Sequence, residues 1–190
     1  MKILLHCCCG PCSVMPSEIL KAAGHEHTAY FYNPNIHPYR EYKKRRNTLR
    51  EYQEDKLPVI IDDDYDLEGF LVQVSDRVCT RCEVCYQMRL ERTAKFAAEN
   101  GFPAFTTTLL VSPYQNHELI KAVGEAAALK YGVEFVYEDF RPYFNEGQER
   151  ARAEELYLQG YCGCIYSEKD RYWQPPKTPV KFYPRRKTDN

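Results

Sequence analysis

Short apolar runs alternate along this chain with longer amphipathic stretches. The apolar runs predict strands at KILLH, TAYFYN, PVIID, AFTTTLL and EFVYEDF. A helical repeat of apolar positions predicts helices over 13–23, 39–55, 66–75, 82–100, 116–131 and 147–159, and three of these stretches are followed by a glycine suited to the end of a helix. Strands that alternate with helices are typical of parallel crossover units. The pattern therefore predicts an α/β fold, with an open, mainly parallel sheet of about five strands and flanking helices, of the Rossmann-like or HUP-like kind.

The predicted order of elements also indicates where a functional site would lie. In an open parallel sheet, ligands bind beyond the carboxyl ends of the strands. Four polar segments follow strands here: CCCGPC, NPNIHPYREY, TLLVSPYQNH and DFRPYFNEG. We expect all four to meet at one rim of a single catalytic domain over 1–173, with a Pro-rich basic tail over 174–190.

The cysteines add candidate chemistry to this picture. The chain has nine of them in 190 residues, in three groups: Cys7, Cys8, Cys9 and Cys12; Cys79, Cys82 and Cys85; Cys162 and Cys164. Because the sequence shows neither an export signal nor a membrane-spanning run, we expect a soluble, cytoplasmic protein with no membrane partner. In a reducing cytosol, clustered thiols are typical of metal binding or redox chemistry.

Three kinds of site are compatible with the cysteine spacing. A structural zinc site takes four ligands and would leave five cysteines unexplained. CTRCEVC with distant partners suits an iron–sulfur cluster, although it lacks the fourth cysteine and the following proline of bacterial ferredoxins. CGPC after a strand matches the thioredoxin arrangement, but two further cysteines directly precede it. Cysteine spacing alone does not decide among these three kinds of site.

Charge gives a weaker indication of the partner. The formal net charge of −1 provides no overall attraction to a polyanion. KKRR (43–46) and KFYPRRK (181–187) are nonetheless local basic segments, and sixteen tyrosines offer surfaces on which bases can stack. Solvated helix faces and loose tails have the same composition, so these segments are compatible with RNA binding without requiring it.

Taken together, six segments resemble those of a known enzyme family, the cobalamin-independent epoxyqueuosine reductases, or QueH family. They are LLHCCCGPCS, YFYNPNIHPYREYKKR, RCEVCYQMRLERTA, FTTTLLVSPY, EDFRP and YCGCIYS, and the resemblance runs from about Lys2 to Trp173. It implies reduction of epoxyqueuosine at the wobble position of tRNA, the last step of queuosine synthesis. It also implies a 4Fe-4S cluster beside a mononuclear iron, and an external electron donor such as ferredoxin or flavodoxin.

The resemblance also implies roles for particular residues. The family's metal-binding pattern falls on Cys8, Cys9, Cys12, Cys82, Cys85, Cys162 and Cys164. We expect Cys82 and Cys85 to bind the cluster with one of Cys8 or Cys9 and one of Cys162 or Cys164, and the remaining two to join Cys12 on the mononuclear iron. Candidate proton donors are Asp139, Tyr161 and His37. Candidate contacts to substrate and RNA are Asn33, Asn35, Arg40, Lys44, Arg45, Arg89, Ser112, Tyr114 and Arg141.

The chain departs from the family pattern in a few positions, and other functions share parts of that pattern. Cys7 and Cys79 are additional thiols, and Leu158 stands where the family usually has an arginine. An ATP-dependent tRNA thiolase would share the sheet, the cysteines and the RNA substrate, but it needs a glycine- and serine-rich loop where this chain has cysteines. A zinc-stabilised or iron–sulfur RNA-binding protein would bind RNA without reducing it.

Overall fold

The computed structural model describes residues 1–78 and 80–175. Within them, the strands are β1 (Lys2–His6), β2 (Glu26–Phe31), β3 (Val59–Ile61), β4 (Ala104–Thr107) and β5 (Glu134–Phe135). The α-helices are α1 (Gly10–Ala22), α2 (Tyr39–Gln53), α3 (Leu67–Val74), α4 (Arg81–Glu99), α5 (His117–Tyr131), α6 (Phe144–Ala153) and α7 (Ile165–Tyr172). Nearly all of the predicted basic tail, like Cys79, lies outside the described residues. No helix in the described part of the chain is both long and apolar enough to cross a membrane.

The strands form one parallel sheet in the order β3-β2-β1-β4-β5. Leu4 at the centre of β1 pairs with Thr28 of β2 on one side and with Phe105 of β4 on the other. The chain builds outwards from β1 towards β3, and from β4 towards β5, so the topological switch point lies between β1 and β4. The predicted open, parallel α/β sheet of five strands is confirmed.

Burial on both faces of the sheet explains the continuous apolar runs of the central strands. Leu4 packs in one core cluster with Phe105, whereas Ile3 and Leu5 pack in a second cluster with Leu49. Successive side chains of a strand point to opposite faces, which separates these neighbours. Helices cover both faces, as is typical of a parallel sheet.

The last two predicted strands are much shorter in the structure, and both end where β4 leaves the sheet. The run AFTTTLL leaves the sheet after Thr107, whose side chain accepts a hydrogen bond from the backbone amide of Leu109 at 3.1 Å and begins a 3-10 turn over Thr108–Val111. β5 pairs only with Ala104 and Phe105 of β4. The amide of Val136 still donates to the Phe105 carbonyl at 2.9 Å, but beyond it the described part of the chain offers EFVYEDF no strand to pair with.

The predicted helices differ most from those of the structure in the C-terminal part of the described chain. The helix predicted over 147–159 is instead α6, which starts earlier and ends earlier. The helix α7 was not predicted, and none of its residues is buried. A short helix with no buried face leaves no hydrophobic period in the sequence.

Candidate metal centre

The segment after β1 places three thiols at the switch point. Cys8, Cys9 and Cys12 are buried, and their sulfur atoms all lie within 4.8 Å of one another. The Sγ atoms of Cys8 and Cys9 are 3.7 Å apart. From the adjacent end of β4, the hydroxyl of Thr108 accepts a hydrogen bond from the Cys8 amide at 3.1 Å and donates to the Cys8 sulfur at 3.5 Å. The carboxyl ends of the two central strands thus build this thiol group together.

Local packing explains why the chain turns so tightly here. A Cβ atom on Gly10 would lie 2.9 Å from the methyl group of Thr48 and 3.2 Å from its carbonyl oxygen, so only glycine lets α1 and α2 come this close. Ser13 donates to the Gly10 carbonyl at 2.7 Å, and Gln53 donates to Ser13 at 2.7 Å. Pro11 occupies the first turn of α1, where no backbone donor is lost.

The three thiols hold their protons unequally. The pKa of Cys8 lies well below its ordinary value because the Cys12 and Cys9 thiols donate hydrogen bonds to its sulfur. Burial raises the pKa of Cys9, and the hydrogen bond to Cys8 raises the pKa of Cys12. One sulfur is therefore ready to bind a cation as the thiolate, and metal binding would displace protons from the other two.

Four further cysteines form a second group. Cys82 and Cys85 lie in the first two turns of α4, and Cys162 and Cys164 lie just before α7. Cys85 and Cys164 share one buried cluster with Phe70, whereas Cys82 and Cys162 are exposed. Burial raises the pKa of Cys85 to about 12, and the charges of Cys162, Cys164 and Cys82 also raise it. The four thiols therefore act on one another electrostatically.

The loop that carries Cys162 is held in place by a buried arginine. Arg45 of α2 donates to the carbonyl oxygens of Tyr161 at 2.9 Å and Cys162 at 3.0 Å. Its Nε donates to Glu41 at 2.7 Å, which balances the buried charge. This contact links α2 to a loop more than a hundred residues further along the chain.

A cavity of about 810 Å³ opens between the two thiol groups. The cysteines that line it are Cys8, Cys12, Cys82 and Cys162. Tyr114 is 83% exposed at the cavity, and its ring meets that of Phe144 edge-on with centroids 6.0 Å apart. Side-chain amides also line the cavity, on Gln115, Asn116, Gln148 and Gln159. The space is large enough for a nucleoside-sized ligand.

The comparisons with known proteins agree with this site. The family model for epoxyqueuosine reductase QueH matches residues 3–170. The chain belongs to the QueH family. It is 35% identical to epoxyqueuosine reductase QueH of Dehalococcoides mccartyi, over 92% of this chain and 96% of that protein. It is 39% identical to the protein of the same name from Histophilus somni, over 89% of this chain and 73% of that one.

Solved structures of two other proteins show the same fold. One is the U34-tRNA thiolase NcsA from Methanococcus maripaludis with its [4Fe-4S] cluster, at a TM-score of 0.56 and 18% identity, over 88% of this chain and 61% of that one. The other is a predicted subunit of tRNA methyltransferase from Methanocaldococcus jannaschii, at a TM-score of 0.50 and 15% identity, over 83% of this chain and 76% of that one. At these identities the likeness is one of fold.

The structure brings only some of the predicted contact residues of this QueH-family chain to the cavity. Those that line it are Arg45, Arg89, Ser112 and Tyr114. Asn33 is buried and donates to the Cys7 carbonyl at 2.9 Å, and Asn35, two residues further on, is also buried. Arg40 and Lys44 are exposed on α2, and Arg141 forms an exposed ion pair with Asp139 at 2.6 Å. The cavity and the basic face of α2 are therefore separate features.

Burial changes the expected role of two arginines. Arg45 was predicted to contact RNA, but its side chain is 1% exposed and its nitrogens donate to protein acceptors. Arg89 was predicted to contact substrate, but it is 3% exposed and donates to the sulfur of Cys85 at 3.1 Å. Both residues position the cysteine-bearing segments in this structure.

The three predicted proton donors also differ in their surroundings. Arg141 lowers the pKa of Asp139 to about 2, so this carboxylate is ionised at neutral pH. Burial lowers the pKa of His37 to about 4, so its ring is uncharged. Burial raises the pKa of Tyr161 to about 12, and its hydroxyl donates to the His37 carbonyl. Only Tyr161 of these three lines the cavity.

Two residues beside the thiols were missed at the level of the sequence. One is Thr108, which lies in the rim segment after β4 but carried no signal of its contact with Cys8. The other is Gln159, whose Nε2 donates to the Cys12 sulfur at 3.2 Å. Its Oε1 is buried with no hydrogen-bond partner in the described part of the chain. Its position three residues before Cys162 was the one available signal.

Proposed function

We propose that this protein is an epoxyqueuosine reductase, which removes the epoxide oxygen of epoxyqueuosine at the wobble position of tRNA. The observation that carries this proposal is a pair of thiol groups on either side of one cavity, in a chain of the QueH family. Both carbon–oxygen bonds of the epoxide break, a carbon–carbon double bond forms, and the oxygen leaves as water after uptake of two electrons and two protons. The two thiol groups and the family match favour the reductase over the thiolase and over a purely RNA-binding protein.

The close group of thiols suits a single metal ion. Two sulfurs on a tetrahedral ion with metal–sulfur bonds of about 2.3 Å lie about 3.8 Å apart. The separation of 3.7 Å between Cys8 and Cys9 supports that arrangement, with Cys12 as a third ligand. A four-iron cluster binds each thiolate through a different iron and spreads its ligands more widely.

The second group supplies the four thiols that a 4Fe-4S cluster takes. These are Cys82, Cys85, Cys162 and Cys164. This division differs from the predicted one, which gave one of Cys8 or Cys9 to the cluster. When bound, the cluster supplies electrons one at a time and the single iron acts as a Lewis acid, with recharging by an external donor of the ferredoxin or flavodoxin class.

The protein's own residues would bind and orient the nucleoside. A base splayed out of the anticodon loop fits the cavity, and the exposed ring of Tyr114 offers a stacking surface for it or for its neighbour. Gln115 and Asn116 present amides to the same space. Of the three predicted proton donors, only Tyr161 lines the cavity, so it is our candidate for donating a proton there once its hydroxyl leaves the His37 carbonyl.

A direct assay tests the proposed function. The protein is purified without oxygen, reconstituted with iron and sulfide, and mixed with epoxyqueuosine-containing tRNA and dithionite. Nucleoside mass spectrometry is then expected to show conversion to queuosine. A colourless protein that holds zinc alone, or a fully loaded protein that converts nothing, would contradict the proposal.

The division of the cysteines has a separate test in iron counts. Cys8→Ser is expected to lose about one iron per chain and to keep the visible absorption of the cluster. Cys85→Ser is expected to lose that absorption. Cys7→Ser is the matched control, because Cys7 is buried beside the same segment but lies outside the family pattern. Loss of the cluster absorption in Cys8→Ser would contradict this division and would mean that Cys8 binds the cluster, as the sequence analysis allowed.

A further inference from the structure

Arg89 carries a buried positive charge with an unusual set of partners. It lies in α4, one turn after Cys85, and is 3% exposed. Its Nε donates to the Cys85 carbonyl at 3.1 Å and its Nη2 donates to the Cys85 sulfur at 3.1 Å. In the described part of the chain it has no carboxylate within 4.0 Å, and the charges that act on it most strongly are those of Cys85, Cys8, Tyr86 and Cys162.

Other arginines of the protein satisfy their charge in the ordinary way. Arg45, also buried, pairs with Glu41 at 2.7 Å, and the exposed Arg92 pairs with Asp62 at 2.8 Å. A buried guanidinium without a carboxylate partner is unfavourable, and the strongest charges near Arg89 belong mainly to cysteine sulfurs, which are ionised when they bind a metal. The side chain of Arg89 is therefore complementary to a site that carries negative charge when it is loaded.

The position of Arg89 identifies that negative site. It lines the same cavity as Cys8, Cys82 and Cys162, and it touches the sulfur of Cys85. Cys8 of the close group, and Cys85 and Cys162 of the group of four, all act on its charge. Thiolates bound to iron retain net negative charge on both centres, and each added electron increases it.

We propose that Arg89 is the fixed counter-charge of the iron–sulfur centre and raises its reduction potential. The inference rests on the proposed function, because it requires a cluster on the group of four thiols. A cation beside a ligand sulfur stabilises the reduced cluster, which is more negative by one charge, more than the oxidised cluster. The hydrogen bond to Cys85 acts in the same direction, since hydrogen bonds to the sulfurs also set the potential. Arg89 is then a positioning residue for the electron-accepting centre.

The test compares reduction potentials in loaded protein. Arg89→Gln removes the charge and keeps an N–H donor, Arg89→Met removes both, and Arg89→Lys keeps the charge. Arg150→Gln is the matched control, because Arg150 is an exposed arginine paired with Glu18 on the protein surface. Each protein is loaded with iron and sulfide without oxygen and titrated with dithionite and mediator dyes. Visible absorption and electron paramagnetic resonance report the reduced fraction.

The charge-removing variants are expected to hold less reduced cluster at a fixed potential. The ratio of reduced to oxidised cluster should fall at least about tenfold in Arg89→Gln, which is a shift of about 59 mV for a one-electron couple. In Arg89→Met this ratio should fall at least as far. In Arg89→Lys the ratio should stay within about threefold of the wild-type value, and in Arg150→Gln it should not change.

Each other outcome also decides the question. A wild-type potential in Arg89→Gln or Arg89→Met, or a tenfold lower ratio in Arg89→Lys, would overturn the inference. If neither neutral variant folds or holds a cluster, Arg89→Lys decides: retention of the cluster at near wild-type potential supports the role of charge, and loss of the cluster overturns it. A wild-type protein that assembles no iron–sulfur cluster would instead refute the proposed function.

Discussion

Gly163 determines the path of the chain between two of the candidate cluster ligands. Its φ of 120° lies in a region that residues with a side chain rarely adopt. A Cβ atom there would lie 2.9 Å from Ile36 and 3.1 Å from a guanidinium nitrogen of Arg45. Its carbonyl accepts a hydrogen bond from the amide of His37 at 2.9 Å. Backbone strain and close packing thus both require glycine between Cys162 and Cys164.

Gly163→Ala is expected to destabilise the fold and to impair metal loading. We expect the free energy of unfolding to fall by about 1–3 kcal/mol, because the new methyl group meets both a strained backbone and two close neighbours. Urea unfolding and the iron content after reconstitution measure the two effects. Gly101→Ala is the control, because its φ is 70° but nothing lies within 4 Å of the new atom. Full iron loading in Gly163→Ala would contradict the role given to this bend.

At single residues, the sequence predicted the candidate metal ligands but not which charged side chains are buried. The motifs identified the cysteines as a set, and the structure brings seven of them to two neighbouring groups. The same motifs did not distinguish buried arginines from exposed ones. Arg45 and Lys44 are adjacent in a basic run, yet the first points into the protein and the second is exposed. Which side of a helix faces the core depends on what packs against it, and Arg45 packs against a loop from 116 residues away.

At the level of elements, prediction succeeded where burial imposes a period. The central strands and the long helices carry apolar patterns, and their bounds in the structure lie within a few residues of those predicted. The helix α7 has no fully buried residue and no such pattern, so it was missed. The short edge strand β5 was overestimated, because its length depends on where β4 stops pairing rather than on its own residues.

The exposed face of α2 provides a test of RNA binding at the level of an element. Arg40 and Lys44 are exposed there, and the Lys44 ammonium lies 3.6 Å from the centre of the Tyr157 ring. Arg40→Glu with Lys44→Glu is expected to weaken tRNA binding, because two phosphate-binding charges are reversed. The slope of log affinity against log salt should decrease by about 1.4–1.8, at 0.7–0.9 per lost phosphate contact. Filter binding at several salt concentrations measures it.

The matched control reverses two charges elsewhere on the surface. Lys21 near the end of α1 and Lys95 near the end of α4 are exposed, and these helix ends lead back to the amino ends of the strands, away from the cavity. Lys21→Glu with Lys95→Glu changes the net charge by the same amount and should leave the salt slope as it is. Equal weakening by both pairs would mean that net charge, rather than the face of α2, governs binding.

At the level of the whole molecule, the topology of the sheet makes the location of the site predictable. The way the cysteines divide into two groups depends on tertiary packing and could not be predicted. The rule for parallel sheets placed four loop segments at one rim, and the cavity does lie beyond the ends of β1 and β4. The distances between the sulfurs favour the division that we propose over the one expected from the sequence. Cys8 and Cys9 remain together because the turn into α1 folds both sulfurs to one side, whereas an extended chain would separate them.

Buried histidines make the stability of the whole metal-free molecule sensitive to acid. Burial lowers the pKa of His6 to about 4 and that of His37 to about 4, whereas both rings titrate near 6.5 in an unfolded chain. Below pH 6.5 the unfolded chain therefore binds protons that the folded protein does not, and stability falls as the pH drops towards 4. Each ring should contribute a loss of about 1–3 kcal/mol over that window.

His37→Phe isolates one of these contributions. The ring of His37 packs against Phe70 at 5.1 Å and Tyr65 at 5.8 Å between centroids, so phenylalanine suits the same space. Urea unfolding of metal-free, reduced protein at pH 7 and pH 4.5 gives the acid-induced loss of stability for each protein. Other acid-sensitive groups contribute equally to both, so the loss should be smaller in His37→Phe by about 1–3 kcal/mol. An equal loss in the two proteins would show that His37 takes up a proton in the folded state.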